Sequence, residues 1–169
     1  MRFYRAEWRP IPCNYNAGGN HPKLVIVHIM QGSLTGTDSW FRNPAAEASA
    51  HYGIGKDGTI FQWVDCDDMA WHAAGANDHS IGVENEGYAG HPLTAAQVDA
   101  NARIFAWAVR NYDVPLWLAK RASGSGLAWH GLGGAAWGGH TGCPGDPIVA
   151  QLGQIKDRAK AINEKLAGD

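Results

Sequence analysis

The 169-residue chain has no run of lysine or arginine, no long apolar run and only three cysteines. Each shortage excludes a class of protein. With 14 basic against 16 acidic side chains and a formal charge of −2, nothing offers a footprint for nucleic acid or for an anionic lipid surface. The longest strongly apolar run, Leu24 to Met30, contains a histidine and is far too short to span a bilayer. The opening residues, MRFYRAEWRP, contain no apolar core of a secretion signal. The expectation is a soluble monomer with no signal peptide, made and held in the cytoplasm of the producing cell. Cys13, Cys66 and Cys143 are too few and too scattered for a disulfide framework, and their odd number leaves at least one thiol free. Whether Cys13 pairs with Cys66 stays open.

Two catalytic signatures are missing as well. The glycine-rich stretch from Ser123 to Gly139 has no GxxxxGK[ST] pattern, so it is not a phosphate loop, and no HExxH helix marks a zinc peptidase. What the chain does hold in abundance is histidine and tryptophan, eight of each, together with 22 glycines. That makeup suits an irregular, loop-built site better than a plain helical bundle.

The local patterns predict an α/β chain. Lys23 to Met30 reads as a strand buried on both faces, with His28 near its end. Residues Ala50 to Val64 alternate on either side of Lys-Asp-Gly, which predicts a hairpin turning at Asp57 and Gly58. His79 to Gly87 gives a further strand closing in acidic residues. Thr94 followed by Gln97 is a capping box, and Val98, Ala102, Phe105 and Val109 recur at helical spacing, predicting a helix over about residues 95–112. Gly126 to His130 reads as one more short strand with histidine at its exit. Asp146 as N-cap and Pro147 in the first turn then open a second long helix with the stripe Ile148, Leu152, Ile155, Ala159, Ile162 and Leu166. This order implies one domain over residues 1–169, a central mixed β-sheet flanked by helices.

His28, His130 and Cys143 offer two imidazoles and a thiol, a donor set that zinc prefers, with one position left for water. Singly, a core histidine or an inert buried thiol explains each of them equally well. Their combination, and the order of the segments SAHYGIGKDGTIFQWV, AWHA, NDHSIGVENEG and HTGCPGD, resembles the zinc-dependent N-acetylmuramoyl-L-alanine amidases, the family shared by phage lysins and peptidoglycan recognition proteins.

The resemblance implies the fold, one Zn2+ ion and an activity: hydrolysis of the amide between N-acetylmuramic acid and L-alanine in bacterial peptidoglycan, as in a bacteriolytic phage endolysin acting on the cell wall. It makes His28 the first metal ligand and Cys143 the last. The middle ligand departs from the family's shorter spacing, because His130 stands 13 residues before Cys143 and His140 only 3. His130 is preferred for its place at a strand exit, with His140 as the rival ligand or else a residue of the substrate groove. Glu84 matches the family's general base, with Glu86 as its neighbour and rival, and Ala50 stands where some relatives carry a tyrosine. Thr141, two residues before Cys143, matches the oxyanion-stabilising position. His72 and Asn77 match residues of substrate binding or loop support, and the segment Ile29 to Phe41 is expected to edge the groove. The alternative carried with this reading is a recognition module that binds peptidoglycan without cutting it, although such members typically lack the cysteine.

Overall fold

The computed structural model describes residues 1–168. Along the chain come β1 (Glu7–Trp8), β2 (Tyr15–Gly19), β3 (Leu24–Ile29), α1 (Leu34–Phe41), β4 (Tyr52–Ile54), β5 (Ile60–Gln62), β6 (Asp68–Ala70), β7 (Ser80–Asn85), α2 (Ala95–Tyr112), β8 (Gly126–Trp129), α3 (Asp146–Val149) and α4 (Leu152–Gly168). Six strands form one sheet in the order β1-β5-β4-β7-β3-β8, and β2 pairs with β6 in a separate two-stranded ribbon. The β4–β5 hairpin is antiparallel, while β3 runs parallel to both β7 and β8. The architecture is α/β with a mixed central sheet, as the sequence predicts.

The strand β3 explains the layering. All six of its residues are buried, and alternate side chains point to opposite faces. Val25, Val27 and Ile29 join the core beneath α2 and α4, together with Ile81, Val83 and Phe105. Leu24 and Ile26 face the other way, against Ala73, Ala76 and Trp137. That second face is covered by two short 3-10 segments, Ala74–His79 and His130–Trp137, rather than by long helices. His28 lies on the same side as Leu24 and Ile26 by this alternation, at the end of the strand.

Local chemistry accounts for the elements read from sequence. The hairpin turn holds Gly58 at φ +87°, and the Asp57 carboxylate accepts from the Thr59 amide at 2.9 Å. Both halves of the Thr94–Gln97 capping box are made, so α2 begins where its residues dictate.

Three expectations need correction. The N-cap before α3 is Gly145, with Asp146 already in the first turn and Pro147 beside it. The final helix is not continuous, because the chain turns at Ala150 and Gln151, where the Gln151 side chain both accepts from the Leu93 amide and donates to the Leu93 carbonyl. Its apolar stripe also stops short: Ile155 and Ala159 are buried, Ile162 is half-buried and Leu166 is 53% exposed. All three cysteines are free. Cys66 is buried against the Tyr52 hydroxyl, and Cys13 sits half-buried near the Phe41 and Arg42 carbonyls.

Candidate metal centre

Parallel pairing does most of the assembly. His28 on β3 lies directly across from Glu84 on β7, and Val27 is level with Trp129 on β8, so His130 follows at the same end of the sheet. The loop after β8 then returns Cys143 to that end, pinned by the Gly131 amide donating to the Cys143 carbonyl at 2.8 Å. A side chain at Gly131 would meet the Thr141 carbonyl at 2.5 Å, so this close approach requires glycine. One ligand atom each from His28, His130 and Cys143 falls within 4.8 Å of the others.

The extra residues that separate His130 from Cys143 form the Trp137-centred plug. Trp137 is buried, and its carbonyl accepts from His130 Nε2 at 2.8 Å. That bond leaves His130 Nδ1 as the nitrogen with a free lone pair. On His28 the Nε2 side is occupied by His72 Nδ1 at 3.0 Å, while Nδ1 stands 4.0 Å from Cys143 Sγ. His140 lies outside this group. Its ring packs on the His130 ring with centroids 4.9 Å apart, and the residue is exposed.

The electrostatics of the cluster are those of a site short of a positive charge. Burial pushes the His28 pKa well below its ordinary value, with His130 and His140 acting in the same sense, and lowers His130 likewise. Burial also lifts Glu84 to about 8 and Cys143 to about 12. Glu84 Oε2 is buried without any hydrogen-bond partner, and its Oε1 is 4.0 Å from His28 Nδ1. A cation between these groups would stabilise the charged forms of Glu84 and Cys143, while the two depressed imidazoles stay neutral with a lone pair to donate. Two imidazole nitrogens and one sulfur are zinc donors, and a tetrahedral zinc site places such atoms about 3.3–3.6 Å apart. The widest separation, up to 4.8 Å, would have to close by roughly 1.5 Å at most to meet that geometry. The residues therefore fit the ion.

Above the cluster opens a cleft of about 610 Å³, into which His28, Glu84, His130 and Cys143 all face. Gln31, Phe41 and Trp71 also line it, so both ends of the segment Ile29 to Phe41 do edge the groove. Trp71 donates from its ring nitrogen to Asn16, whereas Trp129 is half-buried against the core. Thr141 is exposed and does not line the cleft, although its neighbours His140 and Gly142 do. Glu86 follows the last residue of β7, and its carboxylate accepts from the Lys56 amide at 2.9 Å. Asn77 faces the loop, where its side-chain oxygen accepts from the His72 and Ala73 amides. Sequence reasoning missed Ser80, whose hydroxyl contacts His72 Nε2 at 3.1 Å, and the Trp137 carbonyl. Only the common order of AWHA and HSIG hinted that those two segments meet.

A mixed sheet with two histidines, a cysteine and a buried carboxylate at one end of its parallel strands has a donor set that could hold a metal ion for hydrolysis. The chain belongs to the N-acetylmuramoyl-L-alanine amidase family, whose model matches residues 18–146. It is 44% identical over 106 residues to N-acetylmuramoyl-L-alanine amidase A of Achromobacter lyticus, an alignment spanning 60% of this chain and 60% of that protein. Among solved structures it resembles a selenomethionine derivative of AmpD, with a TM-score of 0.68 and 22% identity, covering 91% of this chain and 96% of the other. It also resembles the endolysin amidase LysCS of Clostridium intestinale, with a TM-score of 0.65 and 16% identity over 91% and 95% of the two chains.

Proposed function

We propose that this chain, acting as one catalytic domain, hydrolyses the amide between N-acetylmuramic acid and L-alanine in bacterial peptidoglycan, using one zinc ion held by His28, His130 and Cys143. The observation that carries this reading is the convergence of those three donors beside the unpartnered Glu84 carboxylate at the floor of an open cleft. Bound there, zinc would supply Lewis acidity and bring the pKa of a water molecule toward about 7. Glu84 acts as general base toward the attacking water and then passes that proton to the departing amine. Its position favours this role, since no protein group competes for Oε2. Thr141, exposed beside the cleft-lining His140 and Gly142, would have to turn its neutral hydroxyl inward to reach the developing oxyanion, and the exposed His140 presents its ring to substrate along the cleft wall. The likeness to an endolysin amidase supports a lytic role of phage type, with the protein gathering in the cytoplasm and reaching the wall after release. No helix among the described residues is long and apolar enough to cross a membrane.

The reading is tested by digesting purified peptidoglycan with and without a chelator and identifying the new ends by mass spectrometry. Free lactyl carboxylates paired with L-alanine amino termini, lost on chelation, are the expected products. New reducing sugars or cuts within the stem peptide would overturn it, and binding without any new ends would mark a recognition module. Replacing His130 and His140 separately and measuring retained metal tests the ligand assignment, with loss expected only for His130.

A further inference from the structure

His72 lies in the cleft wall with both ring nitrogens committed to protein. The direction of its hydrogen bonds follows from their far end. The Ala76 carbonyl can only accept, and the Ser80 hydroxyl, 2.6 Å away, gives it the one proton that it has. Ser80 Oγ can then only accept, so His72 Nε2, at 3.1 Å, carries the ring proton. Neither nitrogen of His72 is paired with a carboxylate, and an unpaired imidazolium would be costly in this interior. A neutral ring has a single N–H, which leaves His72 Nδ1 an acceptor and obliges His28 Nε2, at 3.0 Å, to donate.

We propose that His72 and Ser80 are positioning residues that hold the proton of His28 on Nε2 and so keep its Nδ1 open toward a metal ion. This deepens the zinc reading and rests on it. The surroundings are built for the task. A Cβ at Gly82 would lie 2.6 Å from the His72 ring, so β7 must carry glycine there for the ring to reach His28. Asn77 fixes the same residue from behind, accepting from the His72 amide at 3.0 Å and the Ala73 amide at 2.7 Å. A histidine free to recognise substrate would have a nitrogen to spare, and this one has none.

The test combines proton location with metal affinity. In zinc-free 15N-labelled protein, long-range 1H–15N spectra should show His28 and His72 both protonated on Nε2. In competition with a chromophoric chelator, His72→Leu should weaken zinc binding about 10–100-fold, the usual effect of losing such an outer partner. His72→Asn, whose Oδ1 stands where Nδ1 stood and can still accept, should restore most of that loss. Ser80→Ala should lower affinity and let His28 populate both tautomers, which keeps a second variant in hand if the leucine substitution fails to fold. Finding the His28 proton on Nδ1 in the wild type, or equal affinities in the leucine and asparagine variants, would overturn the proposal. If the wild type binds no zinc at all, the metal reading fails instead, and the tautomer measurement still decides the relay.

Discussion

Glu84 and Cys143 show how burial prepares a side chain for a partner. The Glu84 carboxyl, lifted to about 8, has no neighbour to stabilise its charge, so the charged form is held back until a cation arrives. Glu84→Gln keeps the shape and removes the base. It should reduce the rate of amide cleavage about 10²–10⁴-fold while leaving bound zinc at one per chain, read by counting new amino termini and by metal analysis. The Cys143 thiol, lifted to about 12, is protonated at neutral pH and must lose that proton to bind metal. Zinc binding should therefore tighten as pH rises. Calorimetry in buffers of different ionisation enthalpy should show proton release, and a pH-independent affinity would count against the sulfur as ligand. At this scale the sequence was informative about residue types and poor about their company. His28, His130 and Cys143 could be singled out, yet Ser80 is 8 residues from His72 and 44 residues separate His72 from His28, and no local pattern records such meetings.

Among the elements, those with a strong internal pattern were legible: β3 as a buried apolar run, the β4–β5 hairpin around its Asp-Gly turn, and α2 between its capping box and Tyr112. The ones overlooked depend on distant partners. The strand β1 has two exposed residues and exists because β5 pairs with it. Helix α1, LTGTDSWF, contains poor helix formers and is fastened by Asp38, which accepts from Arg9, Arg42 and the Trp63 ring nitrogen. Arg9 foremost, then Arg42 and Trp63, hold the Asp38 carboxyl well below the usual carboxylate range. Its contribution is thus present above the ordinary carboxylate pKa and lost as pH falls through the lower folded value. Asp38→Ala should cost on the order of 3 kcal/mol, because it strands the buried Trp63 ring N–H and takes from Arg9 and Arg42 the carboxylate they share. Removing the α2 cap with Thr94→Ala should cost only about 1 kcal/mol, and denaturant unfolding would rank the two. The 130–137 segment carries a different liability. A Cβ at Gly133 would lie 2.0 Å from the Trp137 ring. Gly133→Ala should displace Trp137, take its carbonyl from His130 and weaken zinc binding about tenfold or more, with far-ultraviolet circular dichroism little changed.

For the molecule as a whole, the interior histidine His51 sets an acid limit. It is fully buried, accepts from the Gly82 amide at 3.0 Å through Nδ1 and donates to the Asp68 carbonyl through Nε2. Burial lowers its pKa from 6.5 to about 4, against the smaller opposing effect of the Asp68 carbonyl. Above 6.5 both folded and unfolded chains carry it neutral. As pH falls toward about 4, the unfolded chain takes up a proton that the folded one refuses, so this one residue takes about 3 kcal/mol from stability across that window, and the likewise depressed His28, His72 and His130 add to the decline. Urea unfolding at a series of pH values checks this, and a His51 ring resonance titrating near 6.5 in the folded protein would contradict it.

The level pairing of Val27 with Trp129 across β3 and β8, which sets His28 beside His130, has one more consequence. A slip of a single residue between those strands would turn one partner to the opposite face. Ion capture therefore depends on the finished sheet. A chain with β3 and β8 out of register would not bring His28 and His130 together, so zinc would arrive late, as an inspector of the fold, and a metal-sensitive dye could count the correctly assembled fraction of any preparation.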